Sequence, residues 1–192
     1  FDFAVQKSEA EIKIEKKQIN SNAKSFFTYN IEAVAEIRSS FESSVNAIIL
    51  TDSLPVEQKI LFHKIGLEII EQVYKDGFLE VMSQARVSDK DKLVTIRKEN
   101  VVKDIPFKNL YNSNKVLKTI TLNLERNFKD YSNKQFFNIL SDIIKPNITY
   151  DADFTEKVID SEVKKISYTK GKVSSGELII LKGDIVEGKK LA

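Results

Sequence analysis

The feature that most constrains the fold is a set of apolar residues spaced by three and four positions between residues 34 and 73. This spacing places side chains on one face of an α-helix and predicts two amphipathic helices in succession. Leu54-Pro55 starts the second helix, because proline is tolerated in a first turn, where its missing N–H is not needed. Gly77 then predicts a left-handed helix end. The two apolar faces consist of Val34, Ile37, Phe41, Val45 and Ile48, followed by Leu61, Ile65, Ile69 and Val73.

Capping residues predict further helices on both sides of this pair. Ser8 and Glu11 fit a capping box, in which each side chain binds a backbone N–H left unpaired at a helix start. Ser113 opens a second helix, Ser132 and Gln135 form the capping box of a third, and Pro146 closes it. The expected inward residues are Ile12, Ile19, Ala23 and Phe26, then Leu117, Ile120, Leu124 and Phe128, then Phe136, Leu140 and Ile143.

After Pro146, a shorter helix is expected through Phe154 and Val158. Either Asp151 or Asp153 is suited to cap it, since a carboxylate accepts a hydrogen bond from an unpaired N–H of the first turn.

The apolar period changes between Phe78 and Leu110, where a β-hairpin is predicted. Its strands are Leu93–Ile96 and Val101–Ile105, separated by residues 97–100, and Pro106 ends the second. The last thirty residues are again β-rich, with Ile166–Tyr168, Val173 and Leu178–Leu181 punctuated by glycines. The expected fold is therefore α+β: a mainly helical body with a small antiparallel β-hairpin and a C-terminal glycine-punctuated β element. We expect one domain over residues 1–192, with 1–145 and 146–192 as candidate sub-lobes.

Charge and cysteine content exclude several functions. Thirty Lys and Arg residues against twenty-eight Asp and Glu residues leave a net charge of +2, too balanced for a nucleic-acid-binding domain. The absence of cysteine excludes a disulfide framework, a thiolate metal site and a cysteine nucleophile. No stretch reaches the roughly 18 apolar residues that a membrane-spanning helix needs.

Catalytic patterns are also missing. A metal site on the helix of His63 would need a second ligand three or four positions away, and none is present there. The segment Gly171–Leu178 nearly matches a phosphate-binding loop, but Glu177 takes the place of the required lysine. We therefore expect no catalytic, cofactor-binding or metal-binding residues, and we interpret these glycines as turn and bulge positions. The residues three and four positions from His63 are Lys59, Ile60, Gly66 and Leu67.

Aromatic residues are dense in two places, Phe26–Tyr29 and Phe136-Phe137. One interpretation is a wide core between helices. The alternative is an apolar groove for a ligand or a partner helix, since such sites are largely apolar with a few polar groups.

Three stretches together resemble one family. Phe1–Ser8 with the charged helix after it, Val73–Phe78, and the run from Pro146 to Val186 are similar to the extracellular domain of PgpH-type seven-transmembrane HD phosphohydrolases. The positions that carry the resemblance, which we expect to be structural, are Tyr74, Gly77, Asn147, Tyr150, Asp151, Thr155, Gly171, Gly176, Gly183 and Asp184.

The resemblance implies a topology. One membrane helix would precede residue 1, a six-helix membrane block would follow residue 192, and a cytoplasmic HD domain would then hydrolyse cyclic di-AMP. The present chain would be cut from that longer protein and lie on the outer face of the bacterial cytoplasmic membrane, in the periplasm of a Gram-negative cell.

The function expected from the resemblance is that of a non-enzymatic sensor. A ligand of unknown identity or an envelope protein would bind outside and change hydrolysis inside, through the remaining parts of the parent protein. The alternative is a structural domain that forms a homodimer or docks to an envelope protein without a small ligand. The charged N-terminal helix, with its heptad-like spacing, suits that alternative.

Overall fold

The computed structural model describes residues 3–51, 54–80, 87, 89, 91–128 and 131–175. Contacts divide the chain into two units. One comprises residues 24–155, and the other combines residues 1–23 with residues 156–192. These limits differ from the sub-lobes 1–145 and 146–192 considered above.

The described elements confirm the α+β class, with helices predominating. In chain order they are β1 (Phe3–Gln6), α1 (Glu9–Asn22), β2 (Phe26–Tyr29), α2 (Ile31–Thr51), α3 (Val56–Tyr74), β3 (Leu93–Lys98), β4 (Val101–Pro106), α4 (Ser113–Asn127), α5 (Tyr131–Ile143), β5 (Ile148–Tyr150), α6 (Ala152–Lys164) and β6 (Thr169–Val173). A short 3-10 turn, Phe107–Asn109, follows β4. No helix in the described part of the chain is both long and apolar enough to cross a membrane.

In the unit of residues 24–155, the strands form a sheet of order β4-β3-β2-β5. The predicted hairpin is confirmed, with β3 and β4 antiparallel and Lys98 opposite Val101. Its turn places Glu99 at a φ of 50°. The two other strands were not predicted: β2 lies parallel to β3, and β5 lies antiparallel to β2.

The helices α2 to α5 enclose a core rich in phenylalanine. The Phe62 and Phe136 rings stack with centroids 3.9 Å apart, and Phe41 packs edge-on against Phe62 at 5.5 Å. A second apolar cluster, which contains Phe27 and Ile148, lies at the sheet. Phe27 and Phe136 are fully buried. The core interpretation of both aromatic stretches is therefore correct for these two residues.

Two residues do not lie where the helix predictions placed them. Phe26 does not lie on the first helix, because α1 ends at Asn22 and pairing with β3 and β5 draws residues 26–29 into the sheet. Leu117 is 41% exposed, and Val116 takes its place on the inner face of α4 with Ile120 and Leu124. Val116 lies one four-residue step before Ile120 and so shares its face, whereas Leu117 lies beside that face. The other predicted inward residues of this helix, Ile120, Leu124 and Phe128, are buried.

The helix starts are largely as expected. Both bonds of the Ser8–Glu11 capping box are present. Asp151 and not Asp153 caps α6, because its Oδ1 accepts a bond from the Phe154 N–H at 3.0 Å. The capping box predicted at Ser132 is not where the helix begins, since α5 starts at Tyr131.

In the other unit, β1 and β6 form a two-stranded antiparallel sheet, with Phe3 opposite Val173. The pairing shifts register between Val5 and Gln6. The predicted strand Ile166–Tyr168 lies before β6 and is not part of it, because the pairing with β1 begins at Thr169. Leu178–Leu181 lie outside the described residues.

Candidate functional site

Tyr74, at the end of α3, fastens that helix to the segment before β5. Its hydroxyl donates to the Lys145 carbonyl oxygen at 2.6 Å and accepts a bond from the Lys145 N–H at 3.0 Å. Burial raises the pKa of the Tyr74 phenol far above its usual value, because the charged form would be poorly solvated. Tyr74 therefore acts as a neutral structural clamp.

Gly77 and Asn147 complete the same junction. Gly77 has a φ of 106°, which confirms the left-handed helix end, and a Cβ at this position would lie 2.0 Å from Cδ1 of Ile148. The Asn147 Oδ1 accepts a bond from the Phe78 N–H at 2.9 Å. Close packing against Ile148 thus accounts for Gly77, and the hydrogen bond to Phe78 accounts for Asn147.

Asp151 and Thr155 form a second junction, between α6 and the sheet. The Asp151 Oδ2 accepts a bond from Arg97 Nη1 at 2.9 Å. The Thr155 hydroxyl donates to the Asp151 carbonyl at 2.7 Å and accepts a bond from the Phe26 N–H at 3.1 Å. The Arg97 guanidinium also lies 4.4 Å from the centre of the Phe154 ring. Through these contacts Asp151 and Thr155 hold the start of α6 against the sheet, which is a structural role.

Tyr150 belongs to the core beside this junction, with its ring 5.5 Å from that of Phe27. Its buried hydroxyl makes no hydrogen bond within the described part of the chain.

A cleft of about 680 Å³ opens beside the first junction, between the α2–α3 pair and the sheet. A smaller cavity of about 90 Å³ adjoins it and shares Tyr29, Lys75 and Lys98 with it. We call the two together the Tyr29 cleft. The Tyr29 hydroxyl donates to the Tyr74 carbonyl oxygen at 2.8 Å, so the cleft is joined directly to the clamp at the end of α3.

Tyr29 is partly buried and has the cationic side chains of Arg38 and Lys98 near it. The Lys98 Nζ lies 4.7 Å from the centre of its ring, a distance at which an ammonium group is attracted to the ring face. Burial raises the pKa of the Tyr29 phenol, and contact with Asn147 and the charge of Arg38 oppose that rise. Tyr29 is thus a neutral aromatic surface at ordinary pH.

Charged residues dominate the rest of the lining. Two pairs neutralise one another: Arg38 Nη2 lies 3.3 Å from Glu71 Oε1, and Lys103 Nζ lies 2.9 Å from Asp76 Oδ1. The cleft is therefore more polar than the apolar groove considered from the aromatic pattern. The remaining charged lining residues are Glu68, Lys75 and Lys98.

Comparison with known families identifies the chain. A family model described as 7TM-HD extracellular matches residues 2–192. The chain belongs to this family. No curated protein and no solved structure matches it.

The match confirms the resemblance inferred from the three sequence stretches. A 7TM-HD extracellular domain is the extracellular part of a membrane protein, so the expected location outside the membrane is established at that level. It is the family match that indicates a membrane protein as the parent of this domain.

The signature positions fall in different parts of this 7TM-HD extracellular domain. Tyr74, Gly77 and Asn147 meet at the first junction, and Tyr150, Asp151 and Thr155 lie at or next to the second. Gly171 pairs with Val5 in β6, next to the register shift, but a Cβ there would meet no atom within 4 Å. The structure thus gives no steric reason for this glycine. Gly176, Gly183 and Asp184 lie outside the described residues.

His63 is held by a neighbouring helix. Its Nε2 lies 2.9 Å from both carboxylate oxygens of Glu42, and its ring stacks on Phe41 with centroids 6.1 Å apart. The sequence of α3 alone did not predict Glu42 as a partner of His63, because Glu42 belongs to α2. Among the described residues, no group of three or more His, Cys, Asp or Glu side chains is placed to hold a metal ion.

The residues of the Tyr29 cleft were not predicted as a site. Tyr29 comes from β2, Arg38 from α2, Lys75 from the end of α3 and Lys98 from β3. The dense aromatic stretch Phe26–Tyr29 was the only sequence feature that indicated a site here. Its alternative interpretation was an apolar groove, which did not include the charged lining residues.

Proposed function

We propose that this 7TM-HD extracellular domain is a sensory, ligand-binding domain of a membrane-bound HD phosphohydrolase. It regulates hydrolysis of cyclic di-AMP by a cytoplasmic HD domain, from the outer face of the cytoplasmic membrane. Family membership supports the extracellular location. Cyclic di-AMP as the substrate follows from the resemblance to PgpH-type proteins.

The observation that carries this proposal is the antiparallel pairing of β1 with β6, which puts Phe3 opposite Val173. The chain therefore enters and leaves this pair of strands at the same end. A domain inserted between two membrane helices needs both connections to reach one membrane surface, and this pairing suits that need. A change in the pair would act on both connections at once.

The Tyr29 cleft supports ligand binding. Its volume of about 680 Å³ falls in the usual range of small-molecule sites. Through the Tyr29 hydroxyl it contacts the end of α3, where Tyr74 holds Lys145. A ligand that favours one arrangement of this junction over another would shift the balance between them, which is what regulation requires.

The experiment measures cyclic di-AMP hydrolysis by the intact membrane protein in proteoliposomes. One variant replaces the extracellular domain with a short flexible linker, and another carries Tyr29→Phe, which removes the bond to the Tyr74 carbonyl. Tyr168→Phe is the matched control, because Tyr168 is 64% exposed. We expect the first two to change turnover and the control to leave it unaltered. Equal turnover in all of these proteins would refute the sensory function.

A second candidate is a structural domain that dimerises or docks to an envelope protein without a small ligand. The observation in its favour is α1, which has no buried residue and leaves Ile14 56% exposed. Light scattering of the chain at micromolar concentration tests it. A dimer would support this candidate, whereas a strict monomer whose melting temperature rises with a ligand would count against it.

A further inference from the structure

Some of the charged residues that line the Tyr29 cleft form no ion pair with another described residue. After the pairs Arg38–Glu71 and Lys103–Asp76 are set aside, Glu68, Lys75 and Lys98 remain. None of the three forms an ion pair with another described residue. Two cationic groups and one anionic group thus line the cleft without a carboxylate or ammonium partner in the described part of the chain, and Lys98 also contacts the Tyr29 ring.

These three charges limit the ligand class. A polyphosphate or another polyanion would be repelled by Glu68, whose charge no lining residue neutralises. A simple cation would be repelled by the lysines. A zwitterion satisfies both signs, with its anionic end at Lys75 and Lys98 and its cationic end at Glu68.

The spacing along α3 sets the length of that zwitterion. Glu68 and Lys75 are seven residues apart, which corresponds to roughly 10 Å along a helix. An extended peptide advances about 3.3 to 3.6 Å per residue, so roughly three residues separate its terminal charges by a similar distance. The Tyr29 ring would lie beside the carboxylate end of such a ligand, because Lys98 Nζ is 4.7 Å from the ring centre.

We propose that the Tyr29 cleft binds a short peptide zwitterion, with the terminal carboxylate at Lys75 and Lys98 and the terminal ammonium at Glu68. This inference rests on the proposed sensory function and names the class of ligand that the sensory domain would bind. Each end forms a charge-assisted contact, so loss of either should weaken binding by roughly tenfold or more.

The test measures binding of trialanine to the 192-residue chain by calorimetry and by saturation-transfer NMR. N-acetyl-trialanine lacks the ammonium, and trialanine amide lacks the carboxylate. We expect trialanine to bind and each blocked form to bind roughly tenfold more weakly or worse. No binding of trialanine up to roughly 10 mM, above the range of weak millimolar ligands, would overturn the inference, as would equal binding of the blocked forms.

Variants locate the site. Lys98→Gln and Glu68→Gln remove one charge from each end, while Lys64→Gln and Glu57→Gln change exposed residues of α3 that do not line the cleft. We expect only the first two to weaken trialanine binding. Losses of equal size in all four variants would overturn the assignment to this cleft.

The outcome is separable from that of the sensory function. Binding is measured on the isolated chain, and regulation is measured by turnover of the intact protein. Trialanine binding without any change in cyclic di-AMP hydrolysis would leave the site standing and count against the proposed function.

Discussion

The Cα of Gly77 lies against the side chain of Ile148, so closely that a Cβ on Gly77 would be 2.0 Å from the Ile148 Cδ1. This contact joins the end of α3 to β5 across a long stretch of sequence. Backbone bonds reinforce it, since the Asn147 and Ile148 N–H groups both donate to the Phe78 carbonyl at 3.0 Å. The left-handed φ of Gly77 and its close packing are therefore parts of one junction.

Gly77→Ala should lower the free energy of unfolding by about 2 to 5 kcal/mol, because it adds backbone strain to overpacking. Urea denaturation followed by circular dichroism measures the loss. Gly171→Ala is the matched control, since a Cβ there meets no atom within 4 Å, and its effect should stay within about 0.5 kcal/mol. Equal effects of the two substitutions would contradict the role of the junction.

Tyr74→Phe should cost about 1 to 3 kcal/mol, because the Lys145 N–H and carbonyl both lose their bond to the hydroxyl. It should also change the response to alkali. The folded-state pKa of Tyr74 is raised, so the folded chain keeps its phenolic proton above pH 10, where an exposed tyrosine loses it. Stability is then unaffected below about pH 10 and falls as the pH rises above it.

Urea titrations between neutral pH and pH 11 test this dependence. The alkaline loss of stability should be smaller in Tyr74→Phe than in the unaltered chain. Tyr168→Phe, at an exposed position, should retain the full loss. An unchanged alkaline slope in Tyr74→Phe would show that another group is responsible.

Phe136→Ala should destabilise the helical core by about 3 to 5 kcal/mol, because it leaves a cavity against the stacked Phe62 ring. Leu122→Ala, at a position that is 51% exposed on α4, should change stability by no more than about 0.5 kcal/mol. Thermal and urea unfolding measure both. A small effect of Phe136→Ala would mean that the core can collapse around the missing ring.

Asp151 combines two roles that substitutions can separate. Asp151→Asn keeps a side-chain oxygen that can cap α6 but removes the charge opposite Arg97, and it should cost no more than about 1 kcal/mol. Asp151→Ala removes both and should cost about 1 to 2 kcal/mol. Asp153→Ala, in the same first turn, serves as the control. Identical losses in the asparagine and alanine variants would assign the whole effect to the Arg97 pair.

Local chemistry determined much of this protein from the sequence. The apolar faces of α2 and α3 follow from steps of three and four residues, and the β3–β4 hairpin follows from short apolar runs on either side of a turn. The Ser8 cap and the glycine end at Gly77 also depend on neighbouring residues alone. The family resemblance came from ordered short stretches, and it was confirmed over residues 2–192.

Only the tertiary structure decided the sheet and the cleft. β2 and β5 contain four and three residues, too few to carry a pattern, and they become strands through hydrogen bonds to distant segments. Contacts with distant segments also explain why Phe26 lies in β2 and not in the predicted helix, and why the partner of His63, Glu42, comes from another helix. The Tyr29 cleft gathers Tyr29, Arg38, Lys75 and Lys98 from four separate segments, and such long-range contacts are set by packing after the local elements have formed.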